Sequence, residues 1–246
     1  MEKKINNLEL NISANKREEV VKLAQGALIA SGVSSDKALF LYLNKIDKLC
    51  DLIAASTPDY TDDFEKAKCI FDWLWSNTPH RYKQEGYYKL TDVIDAQYRS
   101  DKEIGNCLGL TILYNVIAQT FGLPMKAVHL ESAFGPRPHV CSLMALSGKT
   151  IDIENIFLNG FDYHAHRNSP TRQEWGDREL IADIYNSVGS ELFVAGKMNR
   201  AIENFEVAIK LNPKYSKPWL NKGMALVELG RVREAEEWFR KFSLQL

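Results

Sequence analysis

The last quarter of the chain repeats itself with a period of 34 residues: Gly189 matches Gly223, Gly196 matches Gly230, Ala201 matches Ala235 and Phe205 matches Phe239. Tyr185 and Trp219 place an aromatic ring at the same offset. A period of this length marks one supersecondary unit that is copied and stacked, because a single copy cannot bury its own apolar face. The first glycine and the alanine let two helices cross closely, and the aromatic rings fill the gap between them. Gly196 and Gly230 suit the turn between the paired helices, where a positive φ is useful. Copy one runs over 182–215, with Pro213 near its end, and copy two over 216–246. Roughly three units are usually needed for an array that stands alone, so two are expected to lean on the preceding chain or on another molecule.

The order aromatic, Gly, Gly, Ala, Phe resembles the tetratricopeptide repeat. That resemblance implies paired helices whose concave face holds a protein or peptide partner.

Ahead of the repeats the apolar residues change their spacing twice. "KREEVVKLAQGALIA" (16–30), "DKALFLYLNKIDKLCDLIAA" (36–55) and "DDFEKAKCIFDWLWSN" (62–77) carry them three and four apart and read as helices, with Asp36 as the N-cap of the second. Residues 79–103 are polar and aromatic and read as irregular. "CLGLTILYNVIAQTFG" (107–122) is apolar around most of a helical circumference, which predicts a buried helix stopped at Gly122. "MKAVHLES" (125–132), "HVCSLMAL" (139–146) and "KTIDIENIF" (149–157) then alternate or run apolar in short pieces, as strands do. Helices, then a small antiparallel sheet packed on the buried helix, then helical repeats predict an α+β fold followed by an all-α module. The boundaries read as 1–165 for the α+β domain with its helical N-terminal part, 166–181 for a polar connector, and 182–246 for the repeats.

Cys107 sits at the start of the buried helix with Asn106 as its cap. A thiol there meets the positive end of the helix dipole and unpaired N–H groups, which favour thiolate over thiol. A nucleophile also needs an imidazole within reach and a group to orient that imidazole. His139 and Asp152, on consecutive strands, are the candidates, and two registers stay open. A two-residue turn at Ser147-Gly148 pairs 143 with 152 and staggers His139 and Asp152 by four residues, roughly 13 Å. A four-residue loop at 145–148 pairs 141 with 152, makes Asp152 a diagonal neighbour of His139 and sets Glu154 opposite it as a rival orienter. The N–H of Cys107 or Leu108 could form half of an oxyanion hole, with Asn106 or Gln97 as candidate second donors.

The segments "FLYLNKIDKLCDLI", "GNCLGLTILYNVIAQTFGLPMKAVHL" and "IDIENIFLNG", in this order, resemble the bacterial transglutaminase-like proteins that carry C-terminal tetratricopeptide repeats. The resemblance spans roughly 38–246. It implies a papain-like core with Cys107 as nucleophile, His139 as base and Asp152 as orienter, and no particular substrate. Many members have another residue where this chain keeps Cys107, and the family's Pro-Gly-His-Phe segment reads "FGPRPHVC" here.

Two functions follow. One is a cysteine enzyme that cleaves or transfers at amide bonds through a Cys107 thioester, the repeats recruiting a protein or peptide. The other is a catalytically silent scaffold that works as a protein-binding adaptor. A formal net charge of −1 argues against nucleic acid or an anionic membrane as partner. No signal segment or long apolar run is read, so a cytoplasmic place is expected. The four cysteines (50, 69, 107 and 141) lack paired spacing, and Cys50 and Cys69 read as core fillers. No metal or cofactor is expected: Cys107/His139/Cys141 is not asked for by spacing, and His164-Ala-His166 is at best a weak pair. His80 and His129 read as solvated or hydrogen-bonded bystanders.

Overall fold

A computed structural model describes residues 23–56, 62–78, 80–99, 102–146 and 148–243. Five helices lead in: α1 (Leu23–Ala30), α2 (Asp36–Ser56), α3 (Asp63–Asn77), α4 (Leu90–Arg99) and α5 (Cys107–Thr120). Strands β1 (Met125–Leu130), β2 (His139–Leu146), β3 (Lys149–Ile153) and β4 (Gln173–Trp175) follow, then α6 (Asp177–Val194), α7 (Met198–Leu211), α8 (Ser216–Glu228) and α9 (Val232–Ser243). The predicted start of the first helix, 16–22, lies outside the described residues. This is a mixed fold: helices, a small antiparallel sheet and a helical C-terminal repeat region.

Helix α5 is the centre. Every residue from Leu108 to Ala118 is buried, so both apolar faces read from the sequence are used: one against the helices before it, the other against the sheet. Tyr114 Oη donates to the Ala67 carbonyl of α3 at 2.8 Å, and Thr111 Oγ1 to the Val140 carbonyl of β2 at 3.2 Å. Full burial of each Leu or Ile here contributes about 1.5–3 kcal/mol.

The sheet order is β3-β2-β1-β4, antiparallel throughout. Leu146 faces Lys149 and Leu143 faces Asp152, the register of a two-residue turn, in which Gly148 takes φ +84°. Val140, Met144, Ile151 and Ile153 point into the main core, while Cys141 and Leu143 join Val128 and Leu130 in a small cluster on the other face.

The repeats behave as their period demands. A Cβ on Gly189 would lie 2.5 Å from the Phe205 ring, and one on Gly223 would lie 2.3 Å from the Phe239 ring. Each Gly–Phe pair therefore sets how closely two helices cross. Gly196 and Gly230 take φ +72° and +71° at the turns, and the next residue's N–H closes back on the helix in both copies (Lys197 to Leu192 at 2.8 Å, Arg231 to Leu226 at 2.9 Å). The pair does lean on the preceding chain: Leu180, Ile181 and Ile184 of α6, Leu211 of α7 and Tyr215 belong to the main core.

Three local expectations change. Ser35, not Asp36, caps α2, its Oγ accepting from the Ala38 N–H at 3.2 Å; Asp36 is the first helical residue. The stretch read as irregular at 79–103 contains α4, with Leu90, Val93, Ile94 and Gln97 buried at helical spacing. The connector holds β4, whose Trp175 pairs with Ala127, and α6 begins inside it at Asp177.

Candidate active site

The start of α5 is fixed by its neighbours. Asn106 Oδ1 accepts from the Gly109 N–H at 3.0 Å, and the Asn106 N–H donates to the Tyr87 carbonyl at 3.0 Å. A Cβ on Gly109 would come within 2.3 Å of that same carbonyl oxygen, so glycine alone lets the 80s segment lie this close to the helix tip. Cys107 is the first helical residue and is half-buried. The N–H groups of Cys107 and Leu108 have no acceptor within the helix.

His139, the first residue of β2, lines the same cleft as Cys107, and the thiol helps to raise the pKa of its imidazole. Its Nε2 lies 2.7 Å from Glu154 Oε2. That leaves Nδ1 as the nitrogen for the thiol. His139 is buried and Glu154 fully so. Burial pushes the His139 imidazole down, but its bonds to Cys107 and Glu154 outweigh this and raise it to about 9. Burial pushes the Glu154 carboxyl up, and His139 and His166 more than offset it, holding the carboxyl below its usual range.

Asp152 does not occupy the place expected of it. In the observed register it is the residue facing Leu143, four positions from His139, and both its oxygens go to Arg172 (Oδ2 to Nη1 at 2.6 Å, Oδ1 to Nη2 at 2.8 Å). Extending the same register sets Glu154 opposite Cys141, diagonal to His139, so the rival orienter is the group that meets the imidazole. Of the candidate donors, Asn106 lines the cleft beside Cys107, whereas Gln97 Oε1 accepts from Arg81 Nη1 at 2.9 Å in a buried cluster with Thr78. Cys50 and Cys141 are buried and burial raises both thiols, as befits core residues.

Two histidines are buried: His166, read as half of a weak pair, and His129, read as a bystander. His166 Nε2 lies 2.9 Å from Glu154 Oε2, while His164 stays exposed. Nothing local signals this, since the connector has no periodicity and the contact spans 12 residues of loop. His129 is stacked on Trp175 (centroids 4.0 Å apart, rings 4° from parallel), and neither ring nitrogen has a hydrogen-bond partner among the described residues. Burial, with Lys217 and His139 nearby, lowers its pKa to about 4.

This gives a pH prediction. As pH falls below about 6.5 the unfolded chain protonates His129, but the folded chain does so only at about 4. The unfolded state binds more protons in that window, so stability falls as pH falls, by on the order of 3 kcal/mol in total. Urea midpoints at pH 6.5 and 4.5 check it: His129→Phe keeps the stack on Trp175 and is expected to lose part of the acid sensitivity. An equal acid loss in both chains contradicts it.

Cys107 and His139 open into a cleft of ≈ 180 Å³ whose opposite wall comes from the repeat region: Asn186 and Ser187 of α6, Tyr215, and Lys217 of α8. Tyr215 Oη donates to Asp183 Oδ1 at 2.8 Å, which fixes that wall. The arrangement can deprotonate a thiol, present it to a small polar group, and hold the resulting imidazolium against a buried carboxylate.

Residues 216–242 match the tetratricopeptide repeat family. An uncharacterised protein of Methanocaldococcus jannaschii, MJ0572, is 45% identical over 58 residues, which are 24% of this chain and 67% of that protein. The chain belongs to one family with that archaeal protein. The chloroplast tetratricopeptide repeat domain-containing protein PYG7 of Arabidopsis thaliana is 39% identical over 54 residues, 22% of this chain and 18% of its own length. In structure the chain is similar to menin, described as having the binding site for Mixed Lineage Leukemia (MLL) protein, with a TM-score of 0.50 and 11% identity over 96% of this chain and 67% of that one. This last likeness is one of fold. Tetratricopeptide repeats generally bind protein, and among the described residues no helix is long and apolar enough to cross a membrane.

Proposed function

We propose that the chain is a cysteine enzyme of the transglutaminase-like type that acts on amide bonds through a Cys107 thioester, with residues 182–246 recruiting a protein or peptide. The observation that carries this reading is Cys107 and His139 lining one cleft shared with the repeats, with His139 held by the buried Glu154 at 2.7 Å. His139 Nδ1 takes the thiol proton and Cys107 Sγ attacks the carbonyl carbon. The oxyanion forms beside the N–H groups of Cys107 and Leu108. Glu154 Oε2 accepts from Nε2–H throughout, which fixes the tautomer and stabilises the imidazolium. On collapse His139 gives its proton to the leaving amine. Water or a second amine then attacks the thioester carbonyl, giving hydrolysis or transfer.

An activated ester such as p-nitrophenyl acetate tests the reading. One acetyl group per chain on the peptide that carries Cys107, absent in Cys107→Ser, is the expected result. No acylation, or equal acylation of Cys69, contradicts it.

A second reading, a protein-binding adaptor, is favoured by the repeat match at 216–242 and by the exposed apolar side chains of Val194 and Met224 beside one another in a cavity of the repeats. In that case Cys107→Ser leaves partner binding and cellular function unchanged.

A further inference from the structure

The connector brings a second imidazole to Glu154, and the result is more than an orienting pair. His139 Nε2, His166 Nε2 and a Glu154 oxygen lie within 4.8 Å of one another, all three side chains buried. Both nitrogens are spent on one oxygen, Oε2, at 2.7 and 2.9 Å. The other oxygen, Oε1, is buried with no hydrogen-bond partner among the described residues. Leaving a buried acceptor unpaired costs on the order of 1–3 kcal/mol, more for a charged group. Phe134, on the loop between β1 and β2, sets its ring edge-on to both imidazoles, 5.0 Å from His139 and 5.2 Å from His166, and is 52% exposed. The cluster is therefore walled on one side by an aromatic ring carried on a surface loop.

We propose that His139, His166 and Glu154 form a binding site for a first-row divalent cation of the zinc type. Two imidazoles and one carboxylate suit zinc, cobalt, nickel or iron(II), whereas magnesium and calcium ask for all-oxygen shells. Ligand distances near 2.1 Å in a tetrahedron set donor atoms about 3.4 Å apart, so the N···O separations of 2.7 and 2.9 Å have to open by only about 0.5–0.7 Å. Both carboxylate oxygens then serve the cation or its water, including the one now without a partner. Three protein ligands leave a fourth position to water. Cys107 stays outside the coordination shell, on the opposite nitrogen of His139, as an outer partner that orients the ring.

Binding has a consequence that rests on the proposed thiol chemistry, although binding itself does not. With Nε2 on the cation, the ring's one remaining proton sits on Nδ1, and His139 can no longer accept the thiol proton. Loading the site silences Cys107.

The test is a titration of metal-stripped protein with Co²⁺, read by its visible bands, followed by displacement with Zn²⁺. One equivalent is expected to bind, without a near-ultraviolet thiolate band, and Cys107→Ser is expected to bind as the wild type does. His166→Ala is expected to weaken binding roughly 100-fold, with His166→Gln as a second variant and circular dichroism to confirm that each is folded. Absence of saturable binding by the wild-type chain overturns the site, as does unchanged affinity in both folded His166 variants or a thiolate band lost in Cys107→Ser. Zinc is also expected to slow alkylation of Cys107 by at least tenfold, on the order of the loss of a general base. One zinc bound with the alkylation rate unchanged overturns the silencing and the role of His139 as base, and does so separately from the count of bound ions.

Discussion

Glu154→Gln is expected to slow acylation at Cys107 by roughly 10²–10⁴-fold, the range for loss of a group that holds a catalytic imidazole in its working tautomer. The carboxylate only accepts, so it fixes the proton on His139 Nε2 and leaves Nδ1 free for the thiol. A glutamine can turn its amide to donate instead. The proton then moves to Nδ1, and the base is lost without any change of shape. Burial sharpens the effect, because Glu154 is fully buried and water cannot replace it. Single-turnover acylation by an activated ester, with folding checked in parallel, measures this. A loss of less than about threefold would remove Glu154 from the proposed machinery.

Asp152→Ala is expected to cost stability, at about 3–5 kcal/mol, the range for breaking a buried ion pair from one side. Asp152 is fully buried and holds Arg172 through two hydrogen bonds, and the Arg172 side chain is 17% exposed. The change leaves a largely buried guanidinium without its carboxylate. It also loosens the connector, which the Asp152 carboxylate holds through Arg172. Urea unfolding gives the number. Asp152→Ala/Arg172→Ala should cost less than the sum of the single changes, since it leaves no orphan charge. Folded Asp152→Asn is expected to acylate at close to the wild-type rate, which separates this carboxylate from Glu154.

The contrast between these two acids shows where the sequence is readable. Local signals carried the 34-residue period, and with it the Gly189–Phe205 and Gly223–Phe239 contacts and both positive-φ turns. They carried the buried helix, its Asn106 cap and the three main strands. A single turn decided the orienter: the two-residue register that the sequence left open is the one formed, and it moves Asp152 away from His139 while keeping Glu154 diagonal to it. Arg172 and His166 were out of reach because they come from a connector with no periodicity, and their partners lie 20 and 12 residues back. β4 is three residues long, too short to show alternation. Helix α4 is a different case, for its apolar spacing at Leu90, Val93 and Ile94 was present and could have been read.

The repeat region bears on the proposed chemistry as well as on the proposed recruitment. Asn186, Tyr215 and Lys217 line the cleft that holds Cys107, so a partner bound along α6 at Asn186 would lie beside the thiol. This geometry makes the repeat helices a wall of the site and gives the two functional readings a common surface.

Whether Cys107 and His139 act as a pair is read from the rate of Cys107 alkylation by iodoacetamide between pH 6 and 9. At pH 6 the wild-type chain is expected to react at least tenfold faster than glutathione, and His139→Ala is expected to lose that advantage, since an adjacent imidazolium favours thiolate. With His139 raised to about 9, the imidazolium persists through most of this range, and glutathione is expected to close the gap as its own thiol ionises. A Cys107 rate that follows the free thiol across the whole range, unchanged in His139→Ala, would contradict the account.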